Sequence, residues 1–273
     1  MNKPRVKTDL TDVPETMLWT LHNRASEAMR ADGIINDPEA VRIYQSIDYD
    51  YERSFRKADP SHAIRSLMFD KEVQAFLEKH SDGSIVNLGE GLETQRFRVV
   101  GEQSQWFSID LPEAMAVRER FIQPDVQHHH IPLSVLDTTW FDAIPQDKPV
   151  FITAQGLFMY FPEAEVRRLF QQMAARFPGA WLMFDCIPTW FSKRTMRGLA
   201  LTPHYTTPKM PWGINKPNIE ATLRSWLPKL AQFEDVTLLN VPRGVGRLIF
   251  PIMMRLPIVK NMSPSVNLIR FEE

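Results

Sequence analysis

The sequence predicts an α/β fold in which a mostly parallel β-sheet is covered by helices on both faces. After Asp82-Gly83, short runs that are apolar on both faces alternate with helical patterns, as buried parallel strands do. Gly89 and Gly91, the two closest-spaced glycines of the chain, directly follow the first of these runs, and Asp110 ends the second. A strand, a glycine turn and a second strand that ends in an acid are typical of nucleotide-binding α/β domains.

The chain before Asp82 is predicted to be helical. The segment "PETMLWTLHNRASEAMRA" begins with a proline and spaces its apolar residues helically. In "DPEAVRIYQSI", Asp37 is the predicted N-cap and Pro38 the first helical residue. The segment "SHAIRSLMFDKEVQAFLEKH" places apolar residues on one helix face.

The rest of the chain is predicted to alternate strands with helices. The clearest helix is "FPEAEVRRLFQQMAARF", and another is predicted over 219–230. Residues 186–217 are rich in proline and aromatic residues without a regular period, which predicts a lid or binding loop. The predicted strands are "SIVNL", "QWFSID", "HHHIPLSV", "PVFITA", "AWLMFD", "DVTLLN" and "GRLIFPIMMRL".

Composition argues against several classes of protein. The 273 residues carry a formal net charge of -1, which gives no electrostatic reason to expect nucleic acid or an anionic membrane surface as a partner. The single cysteine, Cys186, cannot form an internal disulfide. No apolar run approaches the ~18 residues of a membrane helix, and the N-terminus lacks a signal-peptide pattern. We therefore expect a soluble cytoplasmic protein, and its oligomeric state cannot be predicted.

The triplet "HHH" at 128–130 suggests a metal site at first sight. In an extended strand, however, His128 and His130 point to one side and His129 to the other. No H-x-x-x-H pattern or cysteine pair accompanies them. The sequence therefore predicts no metal site.

The glycines and the acid indicate a cofactor that contains adenosine. Asp110 lies about 20 positions past the glycines, where an acid can accept both ribose hydroxyls. A dinucleotide site expects a third glycine, but Thr94 stands there, and Glu90 and Glu93 would repel a pyrophosphate. S-adenosylmethionine (SAM) fits better than NAD(P). A plain strand–turn–helix connection, with Asp110 as a helix N-cap, is the simpler alternative.

Five blocks of the sequence together resemble the leucine carboxyl methyltransferase family. The blocks are "IVNLGEGLETQRFRV", "WFSIDLPEAMAVRERFI", "SVLDTTWFD", "VFITAQGLFMYFPEAEVRRLF" and "PWGI". The closer resemblance is to the bacterial branch of polyketide-type, tetracenomycin-like O-methyltransferases. It implies a class I SAM-dependent methyltransferase fold in one domain, with a seven-stranded, mostly parallel sheet whose last strand is antiparallel. A helical N-terminal cover (1–81), a SAM-binding core (82–185), a lid insertion (186–217) and the last part of the sheet (218–273) would make up that domain.

The resemblance also implies which residues hold SAM. Gly89 and Gly91 would line its methionine portion and Asp110 its ribose. Gln155, where many members have Glu, would contact the amino group, and Arg65 would pair with the carboxylate. The segment that follows the third strand would lie near the adenine, through Ser134, Leu136 and Asp137. The alternatives are a solvated Arg65, a helix-capping Gln155 and an Asx-turn at Asp137.

The methyl acceptor is predicted to be a small molecule with a hydroxyl or a carboxylate. A carboxylate needs no base, whereas a hydroxyl benefits from one, and His204 or Tyr205 in the lid are the candidates. The predicted acceptor pocket under the lid contains Trp190, Phe191, Tyr205, Met210 and Trp212, and the alternative is that these residues anchor a long loop. Tyr160 is a further predicted acceptor contact, and the alternative for it is packing in the core. A protein C-terminal leucine, the substrate of the eukaryotic branch, is a weaker alternative. Two other functions stay open, an NAD(P)-dependent oxidoreductase and a non-catalytic SAM-binding homologue.

Overall fold

The protein forms a seven-stranded sheet flanked by helices, as seen in a computed structural model that describes residues 6–7, 10–236, 243–244 and 246–273. Five parallel strands follow one another along the chain: β1 Ser84–Leu88, β2 Gln105–Asp110, β3 His128–Pro132, β4 Val150–Ala154 and β5 Trp181–Cys186. A short hairpin comes next, β6 Ala200–Thr202 and β7 Tyr205–Thr206. The sheet ends with β8 Leu230–Val236 and β9 Ser265–Phe271, which are antiparallel to their neighbours. The predicted fold class is confirmed.

The strand order places the glycine turn at the centre of the sheet. The order is β3-β2-β1-β4-β5-β9-β8, so the chain runs one way from β1 to β3 and the other way from β4 onward. In open α/β sheets, ligands bind outside the carboxyl ends of the strands at the point where this direction reverses. Residues that follow β1 and β4 therefore lie at the expected ligand site.

Four helices precede the sheet, as the sequence predicts for this part of the chain: α1 Asp12–Ala28, α2 Pro38–Ser46, α3 Tyr51–Phe55 and α4 Ser61–Lys79. Asp37 caps α2, because its side chain accepts a hydrogen bond from the Ala40 backbone N–H at 2.9 Å. The later helices are α5 Pro112–Arg118, α6 Glu163–Arg176, α7 Thr189–Met196, α8 Lys216–Trp226, α9 Gly246–Met253 and α10 Pro257–Asn261.

The prediction of the last strand is wrong. The segment "GRLIFPIMMRL" contains helix α9, and the final strand is "SVNLIRF". A short apolar run does not distinguish a strand from a helix by itself. Leu248, Ile249, Ile252 and Met253 repeat at the helical spacing of one and four residues, which the prediction overlooked.

Two other boundaries at this end of the chain differ from the prediction. The strand expected at "DVTLLN" begins earlier, with β8 at Leu230, and positions 237–240 lie outside the described residues. The helix expected over 219–230 ends at Trp226, just before Pro228, which cannot continue a helix.

The segment 186–217 is less irregular than predicted. It contains α7 and the β6–β7 hairpin, and its Tyr205, Met210 and Trp212 are buried.

Among the described residues, no helix combines the length and the apolar character that crossing a membrane requires.

Candidate active site

The glycine turn after β1 adopts a backbone that favours glycine. Gly89 has φ 61° and Gly91 has φ 52°, in the left-handed region that side chains with a Cβ rarely adopt. A Cβ on Gly89 would lie 2.7 Å from Leu157 Cδ1, and one on Gly91 would lie 2.9 Å from Met17 Cβ. The two glycines therefore let α1 and the segment after β4 pack directly against the turn.

Asp110, at the end of β2, accepts hydrogen bonds from the turn. The Gly91 N–H donates to Asp110 Oδ2 at 2.7 Å, and the Leu111 N–H donates to Oδ1 at 2.8 Å. Burial raises the pKa of Asp110 to about 6, although these two hydrogen bonds oppose the shift. The carboxylate is ionised at neutral pH and keeps lone pairs for further donors such as hydroxyls. It does not cap α5, whose N-cap is Leu111.

The two glutamates of the turn are paired with buried arginines. Glu90 lies 3.0 Å from the Arg118 guanidinium, and Glu93 lies 2.9 Å from Arg24 and 2.8 Å from Arg98. Burial opposes the charge of Glu93, but Arg24 and Arg98 outweigh it and hold the pKa of Glu93 well below its ordinary value. The Arg24 pair holds the turn against the helical cover, and the three pairs together neutralise the charge of the two glutamates.

Gln155 and Arg65 reach the same site from β4 and α4. Gln155 Oε1 is buried and has no hydrogen-bond partner among the described residues. Arg65 Nη1 donates to Asp185 Oδ2 at 2.9 Å, and the Gly156 N–H donates to Asp185 Oδ1 at 2.6 Å. Arg65 Nε is likewise buried without a partner in the described part of the chain. Buried polar atoms of this kind commonly mark a place where a ligand supplies the missing partner.

A narrow cleft joins these residues beneath the first turns of α1. Its walls contain Gly89, Gly91, Asp110, Gln155 and Arg65, so the structure brings together five of the eight predicted cofactor residues. The open space inside it is about 80 Å³, because α1 lies across it. The residues that α1 contributes are Val13, Pro14, Thr16, Met17 and Thr20.

A second, larger cavity of about 530 Å³ adjoins this cleft. Arg65, Gly156 and Tyr160 belong to the walls of both, so the two spaces meet at these residues. Burial raises the pKa of Tyr160 to about 12, so its hydroxyl stays protonated at neutral pH. Most of the lining of the larger cavity is apolar and includes Trp19, Met159, Ile187, Phe191, Met210 and Phe250.

Comparison with known proteins identifies the family. The sequence profile of leucine carboxyl methyltransferases matches residues 17–174. The chain belongs to the leucine carboxyl methyltransferase family. The tetracenomycin polyketide synthesis O-methyltransferase TcmP of Streptomyces glaucescens is 29% identical over 237 residues, which cover 85% of this chain and 86% of TcmP. The SAM-dependent methyltransferase dpfgK of Gibberella zeae is 25% identical over 189 residues, which cover 63% of each chain.

Solved structures show the same fold. A candidate methyltransferase from Thermobifida fusca superposes with a TM-score of 0.58 at 13% identity, covering 96% of this chain and 95% of that one. The CurJ carbon methyltransferase gives a TM-score of 0.53 at 12% identity, with 95% and 68% covered. The predicted class I methyltransferase fold and the predicted family are confirmed, and the protein is a SAM-dependent methyltransferase.

The cleft of this methyltransferase fits SAM chemically. Asp110 offers an ionised carboxylate to ribose hydroxyls, and the orphaned Gln155 Oε1 offers an acceptor to an ammonium group. Arg65 offers guanidinium N–H groups to a carboxylate. In the sequence, the two glutamates of the turn argue against a pyrophosphate. In the structure they form ion pairs with Arg24, Arg98 and Arg118.

The three residues predicted to lie near the adenine stand apart from the cleft. Ser134, Leu136 and Asp137 follow β3, at the same edge of the sheet, but the described residues that wall the cleft do not include them. Asp137 is exposed and caps a turn of 3₁₀ helix by accepting from the Thr139 N–H at 3.1 Å. This is the Asx-turn alternative, and the role of these residues in cofactor binding stays a prediction.

The two predicted catalytic residues are not among the described residues that line either cavity. His204 is exposed on the β6–β7 turn, and its Nδ1 is 3.4 Å from the Arg53 guanidinium. Tyr205 is buried in the helical cover, where its ring contacts Phe55 edge-on at 4.8 Å. Both side chains of the hairpin therefore contact α3.

The predicted acceptor residues divide among a pocket wall, the core and the surface. Tyr160 lines both cavities. Trp212 is buried in the main core beside Trp226, with ring centroids 6.0 Å apart. Trp190 is 44% exposed, and its indole N–H donates to the Met262 carbonyl at 2.8 Å. The aromatic residues of the 186–217 segment therefore mostly anchor it, and Phe191 is the one of them that reaches the larger cavity.

Two parts of the site are not predicted from the sequence. Helix α1 was predicted as a helix but not as a wall of the cofactor cleft, a role that follows only from its packing on Gly91. His62 lines the larger cavity one helical turn before Arg65. The spacing of three residues between His62 and Arg65 is the signal that could have found it, because it places both on one helix face.

Replacing His204 by alanine is expected to leave turnover within twofold of the wild type, because an exposed side chain outside both cavities has no access to the acceptor. Initial rates with a saturating acceptor would measure this. Arg53→Ala, which removes the neighbour of His204, is the matched control. A loss of tenfold or more at unchanged affinity for S-adenosylhomocysteine would return His204 to the mechanism.

Proposed function

We propose that this methyltransferase transfers the methyl group of SAM to an oxygen atom of a largely apolar small molecule. The observation that carries the proposal is the junction of the two cavities at Arg65, Gly156 and Tyr160. A cofactor cleft that shares a wall with an apolar cavity of about 530 Å³ suits a drug-sized acceptor. The name of the relative TcmP, a polyketide synthesis O-methyltransferase, supports an oxygen acceptor of polyketide type.

The protein contributes mainly position and exclusion of water. When bound, SAM supplies an electrophilic methyl group on a sulfonium centre. In the proposed complex, Gln155, Arg65 and Asp110 hold the cofactor, while the apolar wall aligns the acceptor with it. A carboxylate acceptor arrives ionised and needs no base. A hydroxyl acceptor releases its proton to solvent, because Tyr160 stays protonated and Asp185 already accepts from Arg65 and Gly156. Both acceptor classes remain candidates.

His62 is the polar group that we propose to orient the acceptor. The Asp59 N–H donates to Asn23 Oδ1 at 3.3 Å, which directs the Asn23 amide N–H toward His62 Nδ1 at 2.8 Å. His62 Nδ1 is therefore the acceptor, and Nε2 carries the ring proton. Burial, together with Arg65 and Arg24, holds the pKa of His62 well below its ordinary value, so the ring is neutral. It offers one N–H donor to an oxygen of the acceptor.

His62→Phe is expected to raise the KM for the acceptor about fivefold, because one hydrogen bond of about 1 kcal/mol is lost while the ring contact with Trp19 is kept. The affinity for S-adenosylhomocysteine should not change. His62→Gln, which retains an N–H donor, should stay within about twofold of the wild type. Equal losses in acceptor and cofactor affinity would contradict this role and indicate a structural one.

We also propose that the helical cover (1–81) opens to admit the cofactor and that the segment 186–217 closes the acceptor side of the domain. The first turns of α1 leave only about 80 Å³ in the cleft. Helix α1 begins without a side-chain cap, because the N-cap Thr11 makes no capping hydrogen bond, and its first residue, Asp12, has φ 55°. From the other segment, Ile187, Phe191 and Met210 line the acceptor cavity.

The test is calorimetric titration with S-adenosylhomocysteine, NAD⁺ and NADP⁺, followed by assays with SAM on apolar phenols, alcohols and carboxylic acids. We expect micromolar binding of S-adenosylhomocysteine alone and formation of a methyl ether or methyl ester. Binding without turnover on any acceptor would favour a non-catalytic homologue. Binding of a nicotinamide cofactor in place of S-adenosylhomocysteine would overturn the proposal.

A further inference from the structure

Helices α9 and α10 carry an unusually exposed apolar surface. Every residue from 247 to 260 is exposed or half-buried, although α9 is apolar around much of its circumference. A helix of that composition is normally buried in a core. More than half of the exposed large apolar side chains in the described chain lie here: Leu248, Ile249, Ile252, Met253, Leu256, Ile258 and Met262. Clustered exposure on this scale marks an interaction surface.

The segments that form this surface carry charge of one sign. The sequence has no Asp or Glu between Asp235 and Glu272, nor between Asp185 and Glu220. These two segments contain α7, α9 and α10, and the Trp190 side chain of α7 is hydrogen-bonded to the Met262 carbonyl just after α10. Exposed cations lie on or directly after the same helices, among them Lys193, Arg194, Arg197, Arg255 and Lys260. We call this combined surface, formed by α7, α9 and α10, the cationic apolar face.

We propose that the cationic apolar face docks on the surface of an anionic lipid membrane. Interfacial helices of peripheral proteins combine an apolar side that enters the headgroup boundary with Lys and Arg that contact anionic headgroups. The whole-chain charge of -1, which in sequence gave no reason to expect such a surface, conceals this segregation, because the acids lie elsewhere in the chain. Docking of this kind needs no membrane-spanning helix.

Charge favours a membrane over a second copy of the chain. A twofold interface brings the same patch of both subunits together. Here it would place Arg255 and Lys260 of each copy against a surface whose segments contain no acidic residue. An anionic lipid surface, by contrast, pairs with the cations and covers the apolar side chains at the same time.

The cationic apolar face lies beside the acceptor cavity, which indicates a purpose for docking. This purpose rests on the proposed function. Phe250 of α9 and Phe191 of α7 both line the acceptor cavity. The helices that form the face therefore border that cavity. An apolar acceptor dissolved in a bilayer could pass into the cavity without crossing water.

Co-sedimentation of the full chain with lipid vesicles tests the proposal without cofactor or acceptor. On phosphatidylcholine vesicles with about 30% phosphatidylglycerol at low salt, we expect at least tenfold stronger binding than on phosphatidylcholine alone. Ile252→Asp should weaken that binding at least tenfold, and Arg255→Gln about fivefold on anionic vesicles only. Val126→Asp, at a side chain that is 88% exposed elsewhere, is the matched control and should change nothing.

Three results would overturn the proposal. The first is equal or absent binding to the two kinds of vesicle, and the second is an equal effect of Ile252→Asp and Val126→Asp. The third is a dimer in light scattering that Ile252→Asp dissociates, without vesicle binding, which would assign the face to a second copy. Titration of each variant with S-adenosylhomocysteine reports separately on the fold and on the cofactor site, so failure of docking is distinguishable from failure of the proposed function.

Discussion

Asp110→Asn is expected to lower the affinity for S-adenosylhomocysteine about a hundredfold. The Asp110 carboxylate lies in the cleft, where it already accepts a hydrogen bond from the Gly91 N–H. In the proposed complex it also accepts hydrogen bonds from the ribose hydroxyls. Hydrogen bonds to a charged group contribute about 1.5 to 3 kcal/mol each, so exchanging the carboxylate for an amide removes roughly 3 kcal/mol. Calorimetric titration at pH 7.5 measures the loss.

Asp147→Asn, at an exposed aspartate outside the cleft, is the control for this change and should leave the affinity as it is. If Asp110→Asn retained the wild-type affinity, the ribose role of Asp110 would be wrong. Its contact with Gly91 would then be a purely structural one, as in the simple strand–turn–helix alternative.

The same carboxylate makes cofactor binding depend on pH. Because the pKa of Asp110 is raised to about 6, the ionised form that accepts hydroxyl protons is present above pH 6 and is lost as the pH falls. We expect the affinity for S-adenosylhomocysteine to be nearly constant from pH 7 to 8 and about tenfold weaker at pH 5. Asp110→Asn should bind weakly at all these pH values. A flat wild-type profile down to pH 5 would contradict the raised pKa.

Arg24→Leu is expected to produce the largest loss of stability. Arg24 is fully buried in α1, where it pairs with Asp37 of the α2 cap at 3.0 Å and with Glu93 of the glycine turn at 2.9 Å. Its removal leaves both carboxylates with Arg98 as their remaining arginine partner. Breaking a buried pair costs about 3 kcal/mol or more of unfolding free energy, equivalent to a Tm lower by about 6–12 °C.

Arg30→Leu is the matched control, because Arg30 follows the same helix but forms an exposed ion pair with Asp32. Exposed ion pairs contribute less than about 1 kcal/mol to the free energy of unfolding. Arg24→Lys retains the charge without the planar guanidinium fork. Its loss of stability should lie between those of Arg24→Leu and Arg30→Leu. Thermal and urea unfolding of the three variants would check the order. Equal effects of Arg24→Leu and Arg30→Leu would mean that the buried network does not hold the cover to the turn.

The local sequence predicted the elements whose signals are local. The buried parallel strands follow from runs that are apolar on both faces, and the α2 cap follows from Asp37 and Pro38. The left-handed turn follows from Gly89 and Gly91, which directly succeed a strand. The wrong prediction of a strand at "GRLIFPIMMRL" has a local cause too. A continuous apolar run fits both the strand period and the helix period, and the sequence does not show that α9 is exposed.

The candidate site divides in the same way. The sequence by itself determined the fold class, the family, and the glycine turn with its acid at the end of the next strand, because strand ends of a parallel sheet meet at one edge. Only the tertiary structure decided that α1 walls the cleft, that Glu90 and Glu93 are neutralised, and that Trp212 is core while His62 lines the acceptor cavity. Each of these depends on residues far apart in the chain. Side-chain periodicity reports which face of an element is buried, but not which distant element covers it.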